Sequence, residues 1–270
     1  MTGRYAEVIG DPIAHSKSPL IHNFWLEKLG IDAAYRATRV PPEGLGRYFT
    51  ERGEDPNWCG CNVTIPHKIA ALEHVSDPGG IRESIGAINT VARGPGGGLF
   101  GTNTDAAGFL GPILDVPLEG APVILVGSGG AANAILFALA QVGAGPITML
   151  ARNALKAAGL LARFGLKGEV KPLASSLPPA ALLINASPLG MKGQPLLQLD
   201  LSPLPDNAIV YDIVYAPLET ALLRAARDRG LETVDGLEML VGQAALAFEL
   251  FFDVPPPEGY DEELRAKLVQ

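Results

Sequence analysis

Apolar positions along this chain fall into two kinds of run, and their alternation predicts the elements. Residues 5–9, 33–40, 58–64, 85–91 and 99–104 read as strands in the first half. Val123–Val126, Ile147–Leu150, 182–184, 208–213 and Glu232–Val234 read as strands in the second. Two of the latter, Val123–Val126 and 182–184, are apolar at every position, as expected of a parallel strand covered on both faces. Between them lie stretches of helical spacing at 43–52, 220–229, 238–252 and 261–269, and one running from Pro66 through Val75. Ser18 followed by Pro19 suits the N-cap and first position of a helix that Gly30 stops. Residues 94–98 form a glycine-rich turn, and Asp105 stands just before a helix starting near Ala106. Strand–helix alternation in both halves predicts an α/β protein.

The stretch 122–132, Pro-Val-Ile-Leu-Val-Gly-Ser-Gly-Gly-Ala-Ala, gives that alternation a chemical meaning. Gly127, Gly129 and Ala132 fall at the positions of a G-x-G-x-x-G/A turn, with Ser128, Gly130 and Ala131 between them. The first glycine permits a tight turn, the second a close backbone approach to a pyrophosphate, and Ala132 close helix–strand packing. Ile135, Leu136, Leu139 and Val142 continue with helical spacing to Gly143, a C′ residue. A helix N-terminus aimed at the glycines offers free N–H groups and a positive dipole end to phosphate. An ordinary tight βα turn would use the same residues. The next strand ends in Ala151-Arg152-Asn153, with Lys156 one turn on, where an NAD site usually carries an acidic residue about 20 residues past the glycines. Arg152 and Lys156 instead suit a 2′-phosphate, which favours NADP.

Composition narrows the classes. A 270-residue chain with 47% hydrophobic residues can bury two cores. Its net charge of −8 offers no basic stripe to nucleic acid. No apolar run approaches a membrane span and no signal-peptide pattern opens the chain, so a cytoplasmic location is expected. Cys59 and Cys61 lie two apart on one strand, where they share a face and cannot bridge without distortion. They read as buried reduced thiols, and no metal site is expected.

The remaining polar positions come in blocks. Gly-Asp-Pro-Ile-Ala-His-Ser-Lys-Ser-Pro (10–19), Asn-Val-Thr-Ile-Pro-His-Lys (62–68), Gly-Ala-Ile-Asn-Thr (86–90) and Gly-Thr-Asn-Thr-Asp (101–105) occupy the first half. Asn-Ala-Ser-Pro-Leu-Gly-Met (185–191), Asp-Ile-Val-Tyr (212–215) and Asp-Gly-Leu-Glu-Met-Leu-Val-Gly-Gln (235–243) occupy the second. In this order the blocks resemble the shikimate dehydrogenase family over nearly the whole chain. The resemblance implies two α/β lobes with a cleft between them. An N-terminal substrate-binding sheet domain (1–105 plus 237–270) would face a Rossmann-type NADP-binding domain (106–236). It also implies reversible NADPH-dependent reduction of 3-dehydroshikimate to shikimate, by a monomer or homodimer. Carried onto this chain, the family's substrate residues are Ser16, Ser18, Asn62, Thr64, Lys68, Asn89, Asp105, Tyr215 and Gln243, with Lys68 and Asp105 as the catalytic pair. Its cofactor residues are Gly127, Ser128, Gly129, Gly130, Ala131, Ala151, Arg152, Asn153, Lys156, Ile213, Gly236 and Met239. Ala151 and Asn153 depart from the family's usual Asn-Arg-Thr, which puts in doubt how fully the residues flanking Arg152 grip a phosphate.

The residue chemistry agrees with that resemblance. Carbonyl reduction needs a hydride source, a proton donor and groups that fix the substrate's face. Lys68 and Asp105 are the ionisable members of the substrate set, and an ammonium has a proton to give a forming alkoxide. Ser18 has a cap's duty and Ser16 none, so a second hydroxyl in this loop suggests ligand contact. The serines, with Tyr215, suit a carboxylate; Thr64, Asn89 and Gln243 suit ring hydroxyls. His15, beside Ser16, is a rival acid–base residue. A quinate/shikimate dehydrogenase with broader substrate and cofactor use would carry a similar set. A non-catalytic ligand sensor of this fold would be expected to lose Lys68 or Asp105.

Overall fold

The computed structural model describes residues 3–94 and 96–269. Strand β1 (Arg4–Gly10) is buried at every position after Arg4 and lies inside a five-stranded sheet. Helix α1 (Ser18–Leu29) carries the chain to β2 (Ala33–Arg39), and α2 (Leu45–Glu54) carries it on to β3 (Trp58–Val63). The short helix α3 (Ile81–Ser84) precedes the antiparallel pair β4 (Thr90–Arg93) and β5 (Leu99–Thr102). β1 runs parallel to both β2 and β3, and β4 joins β3 antiparallel, giving the order β2-β1-β3-β4-β5.

Inside this sheet Glu7 is fully buried. Its carboxylate accepts hydrogen bonds from Arg52 Nε at 2.7 Å, Arg36 Nε at 3.0 Å, Thr38 Oγ1 at 2.6 Å and the Tyr48 hydroxyl at 2.8 Å. Burial alone would raise its pKa, but the bonds from Arg52, Thr38 and Tyr48 outweigh it and hold the carboxyl below its ordinary range.

Two expectations fail here for local reasons. The segment 85–91 is not a strand before Thr90, because the N–H groups of Ile85 and Gly86 close α3 on the Ile81 carbonyl and Gly86 takes φ 78°. The stretch after Pro66 makes only a 3₁₀ turn, Ala70–His74. Its start is pinned sideways instead: His67 Nε2 lies 2.6 Å from the Val40 carbonyl, and the Lys68 carbonyl accepts the Ile88 N–H. Cys61 is buried and Cys59 only half-buried; both are free thiols.

Helix α4 (Asp105–Leu110) opens the second sequence half, followed by β6 (Val123–Val126), α5 (Gly130–Gln141) and β7 (Ile147–Leu150). Then come α6 (Ala154–Arg163), β8 (Gly168–Lys171), β9 (Leu182–Asn185), β10 (Ile209–Asp212), α7 (Ala221–Asp228) and β11 (Glu232–Val234). All neighbouring strands pair parallel in the order β11-β10-β9-β6-β7-β8. This is the doubly wound Rossmann order, with its topological switch between β6 and β9. Strands β6, β7, β9 and β10 are buried at every position. β8 escapes a reading by apolar runs because its sequence, Gly-Glu-Val-Lys, is an edge strand's.

Helices α8 (Gly236–Phe252) and α9 (Asp261–Leu268) complete the chain. The chain divides into two compact units: the first runs to Asp105 and resumes at Leu240, and the second is Ala106–Met239. Within the first unit, Phe248 of α8 packs edge-on to Trp25 of α1 at 5.4 Å, and α9 buries Leu264 and Leu268. No helix among the described residues is long and apolar enough to cross a membrane.

Candidate active site

In the first unit, strand ends and the loops tied to them gather one polar cluster. Lys68 Nζ donates to Asp105 Oδ2 at 2.5 Å, with side chains 15% and 7% exposed. Asp105 is the first residue of α4, and its second oxygen accepts from Asn89 Nδ2 at 2.9 Å. The same amide reaches Thr104 Oγ1 at 2.8 Å and Gln243 Oε1 at 3.3 Å. On its other side Asn89 Oδ1 accepts the Thr104 N–H at 2.7 Å, which fixes which way the amide points. Asn62, on β3, donates to the Asn89 carbonyl at 3.2 Å and to Thr90 Oγ1 at 3.1 Å. Lys68, Asp105, Asn89, Gln243 and Asn62 thus form one hydrogen-bonded set, and all but Lys68 are buried. Thr90 and Thr104 complete it. Sequence reading passed over both, although each adjoins a residue it singled out.

Ser16, Ser18 and Thr64 are in the same unit but outside that set. The expected division of labour in the serine loop is reversed. Lys17 takes the N-cap position without a side-chain bond, Ser18 is the first helical residue, and Ser16 Oγ accepts the Ser18 N–H at 3.3 Å. Proline is tolerated at either of the first helical positions, so the helix starts one residue earlier than the Ser18–Pro19 pair suggested. Ser16 therefore has a structural duty after all. Lys17 Nζ donates to the Leu268 carbonyl, tying the loop to α9. Thr64 ends the β3 ladder, giving its N–H to the Ile9 carbonyl and accepting the His67 N–H. His15 is exposed, whereas His22 is fully buried, and desolvation lowers its pKa to about 3.

The second unit holds the remaining candidates on the C-terminal side of its strands. Gly127 adopts φ 106°, and a Cβ there would lie 2.9 Å from the Ala186 carbonyl oxygen, so only glycine fits. Gly129 precedes α5, and a Cβ there would meet no protein atom within 4 Å. Gly130 and Ala131 open the first turn of α5, which has no acidic residue, and Ala132 is fully buried. Ala151 is buried at the end of β7, while Arg152, Asn153 and Lys156 are exposed. Asn153 caps α6 by accepting the Lys156 N–H at 2.9 Å. Among the described residues the side chains of Arg152 and Lys156 form no ion pair.

Ile213 and Tyr215 follow β10, both half-buried, and burial raises the tyrosine's pKa. Gly236 starts α8 with a Cβ position 2.4 Å from the Ile213 carbonyl oxygen, and Met239 is buried. This region is organised by a fully buried Asp212, which accepts from Asn185 Nδ2 at 2.9 Å, Val214 N–H at 3.0 Å and Thr220 Oγ1 at 2.7 Å. All three donors are neutral, and burial pushes its pKa up. Among the described residues, no group of three or more His, Cys, Asp or Glu side chains is arranged to hold a metal ion.

Comparison with known proteins gives these geometries a family. Residues 8–91 match the shikimate dehydrogenase substrate binding domain, and residues 236–264 match the shikimate 5'-dehydrogenase C-terminal domain. A shikimate dehydrogenase (NADP(+)) from Sphingopyxis alaskensis is 64% identical over 98% of this chain and 97% of that protein. A shikimate 5-dehydrogenase from Thermus thermophilus, solved with NADP(H) and shikimate, is 37% identical with a TM-score of 0.86, covering 98% of this chain and 99% of that one. The ligand-free 5-ketofructose reductase of Gluconobacter sp. strain CHM43 is 30% identical with a TM-score of 0.88, covering 99% and 98% of the two chains. The last shows that this fold also serves another substrate, so specificity resides in side chains. By sequence identity over nearly its full length, the chain belongs to the shikimate dehydrogenase family.

Proposed function

We propose that the chain is a shikimate dehydrogenase that reversibly reduces 3-dehydroshikimate to shikimate with NADPH, using Lys68 and Asp105 as its acid–base pair. The observation that carries this reading is the Lys68–Asp105 contact, braced by Asn89 and present in a chain of this family. The first unit would hold the substrate and the second the nucleotide.

The second unit's residues fit NADP. The strained φ of Gly127 and the open space at Gly129 leave the start of α5 clear for a pyrophosphate. Arg152 and Lys156, exposed and without an ion pair, have charge to give a 2′-phosphate. When bound, NADPH supplies the hydride for the carbonyl. Lys68 then gives its proton to the forming alkoxide oxygen, and the Asp105 carboxylate keeps the ammonium oriented. In the reverse direction the same pair takes the hydroxyl proton. Ser16, Ser18 and Tyr215 would bind the substrate carboxylate. Thr64, Asn89, Asn62 and Gln243 would meet ring hydroxyls, rejecting analogues that leave them unpaired. Free thiols at Cys59 and Cys61 are in keeping with a reducing cytoplasm.

Purified protein should reduce NADP+ with shikimate at a kcat/KM well above that for quinate with NAD+. Equal or better use of quinate would make it a quinate/shikimate dehydrogenase, and turnover of neither would overturn the assignment.

A further inference from the structure

The catalytic cluster does not end at Asn62. Its Oδ1 accepts the Tyr35 hydroxyl at 2.6 Å, and Tyr35, on β2, is almost completely buried. Tyr35 is in turn held by α1 in two ways. Asn23 bridges its backbone, accepting the Tyr35 N–H at 2.9 Å and donating to the Tyr35 carbonyl at 2.7 Å. The ring of His22 stacks on the Tyr35 ring at 3.9 Å, 3° from coplanar. β2 is an edge strand, so Asn23 occupies backbone groups that no further strand would claim. His22 makes no hydrogen bond through either ring nitrogen, so its contribution is the flat face it offers the phenol.

We propose that Tyr35 is a positioning residue for the Lys68–Asp105 pair, acting through Asn62 and Asn89. A carboxamide can present its oxygen or its nitrogen to a given neighbour, and the two are nearly the same shape. The Tyr35 hydroxyl donates, so Asn62 must turn Oδ1 toward it and Nδ2 toward the Asn89 carbonyl and Thr90 Oγ1. Thr90 is thereby left to donate to Asn89 Oδ1 at 3.1 Å. Asn89 then has only its Nδ2 to give, and it gives it to Asp105 and Thr104. The chain of contacts thus runs from the Tyr35 hydroxyl through Asn62 and Thr90 to Asn89, whose Oδ1 is held by Thr90 together with the Thr104 N–H, and on to the carboxylate that holds Lys68. Burial raises the Tyr35 pKa well above its ordinary value, so the hydroxyl keeps its proton throughout the working pH range.

The inference rests on the function proposed above, and its test separates the two. Tyr35→Phe removes one oxygen and keeps the ring that stacks on His22. Shikimate oxidation is measured for the wild type, Tyr35→Phe, Asn62→Ala and the double variant, with a thermal melt for each. The expected result is a roughly tenfold lower kcat/KM in Tyr35→Phe, the scale of one lost buried hydrogen bond. That loss should disappear when Asn62 is already alanine, because the hydroxyl then has nothing to orient. An active wild type with Tyr35→Phe unimpaired, or with the same fractional loss in both backgrounds, would overturn the positioning role. A folded wild type inactive on shikimate with NADP+ would overturn the functional reading beneath it.

Discussion

Glu7 in the first unit and Asp212 in the second are both fully buried carboxylates, yet their surroundings drive them in opposite directions. Glu7 meets two guanidinium groups and two hydroxyls, and its pKa falls. Asp212 meets a carboxamide, a backbone N–H and a hydroxyl, and its pKa rises. Neutral donors satisfy the hydrogen-bonding capacity of a buried carboxylate without repaying the desolvation of its charge; adjacent cations can do both. The contrast extends to the candidate sites. The first unit builds its site from charged and amide side chains locked into one network. The second builds its from backbone: a strained glycine, a clear helix start and strand ends joined by Asp212. Lys68 and Asp105 form an ion pair as Glu7 does with Arg52, but their side chains keep 15% and 7% exposure where Glu7 keeps none.

Removing the charge that Glu7 supplies should break the first unit most severely. Glu7→Ala leaves the Arg52 guanidinium and the Tyr48 hydroxyl without their acceptor, and should cost about 3 kcal/mol in a denaturant melt. The sign with pH follows from the depressed value. The carboxylate's contribution is complete above the unfolded pKa of ~4.3 and is lost as pH falls through the lower folded value. Wild type and Glu7→Ala should therefore converge in stability under acid. In the second unit Arg152 is exposed, so its removal should appear in binding rather than folding. Arg152→Ala should weaken NADPH roughly tenfold, as for one lost charge-assisted contact, and leave NADH nearly unchanged. Fluorescence titration with both nucleotides checks this, and equal losses would contradict the 2′-phosphate assignment. Asp212→Asn should move stability at neutral pH by less than ~1 kcal/mol, since the amide oxygen keeps two donors and the Thr220 hydroxyl can turn to accept. Its pH sign opposes that of Glu7: with a raised folded pKa the carboxyl's penalty is complete at high pH, falls away as pH drops through the folded value, and is gone below the unfolded ~3.9. Melts of wild type and Asp212→Asn across pH should show the wild type gaining stability relative to the variant as pH falls.

The sequence made the second unit far more legible than the first. Val123–Val126 and Ile147–Leu150 stand where their largely apolar runs put them, because a parallel strand covered on both faces is apolar nearly throughout. β8 was invisible because an edge strand need not be. In the first unit, polar residues do the organising. Asn89 lies outside any strand, held by amide and hydroxyl contacts from residues far apart in the chain, and no periodicity reports those. The direction of Asn62, the role of Tyr35 and the duty of Ser16 likewise depend on partners that only the folded chain brings together.

The most direct test of the account is Lys68→Ala, with single-turnover reduction of 3-dehydroshikimate and NADPH affinity measured on the same preparation. The account predicts a rate at least ~100-fold lower, the scale of a lost general acid, with NADPH bound as tightly as by the wild type. A near-normal rate with only a raised KM for substrate would contradict it and leave Lys68 a binding residue.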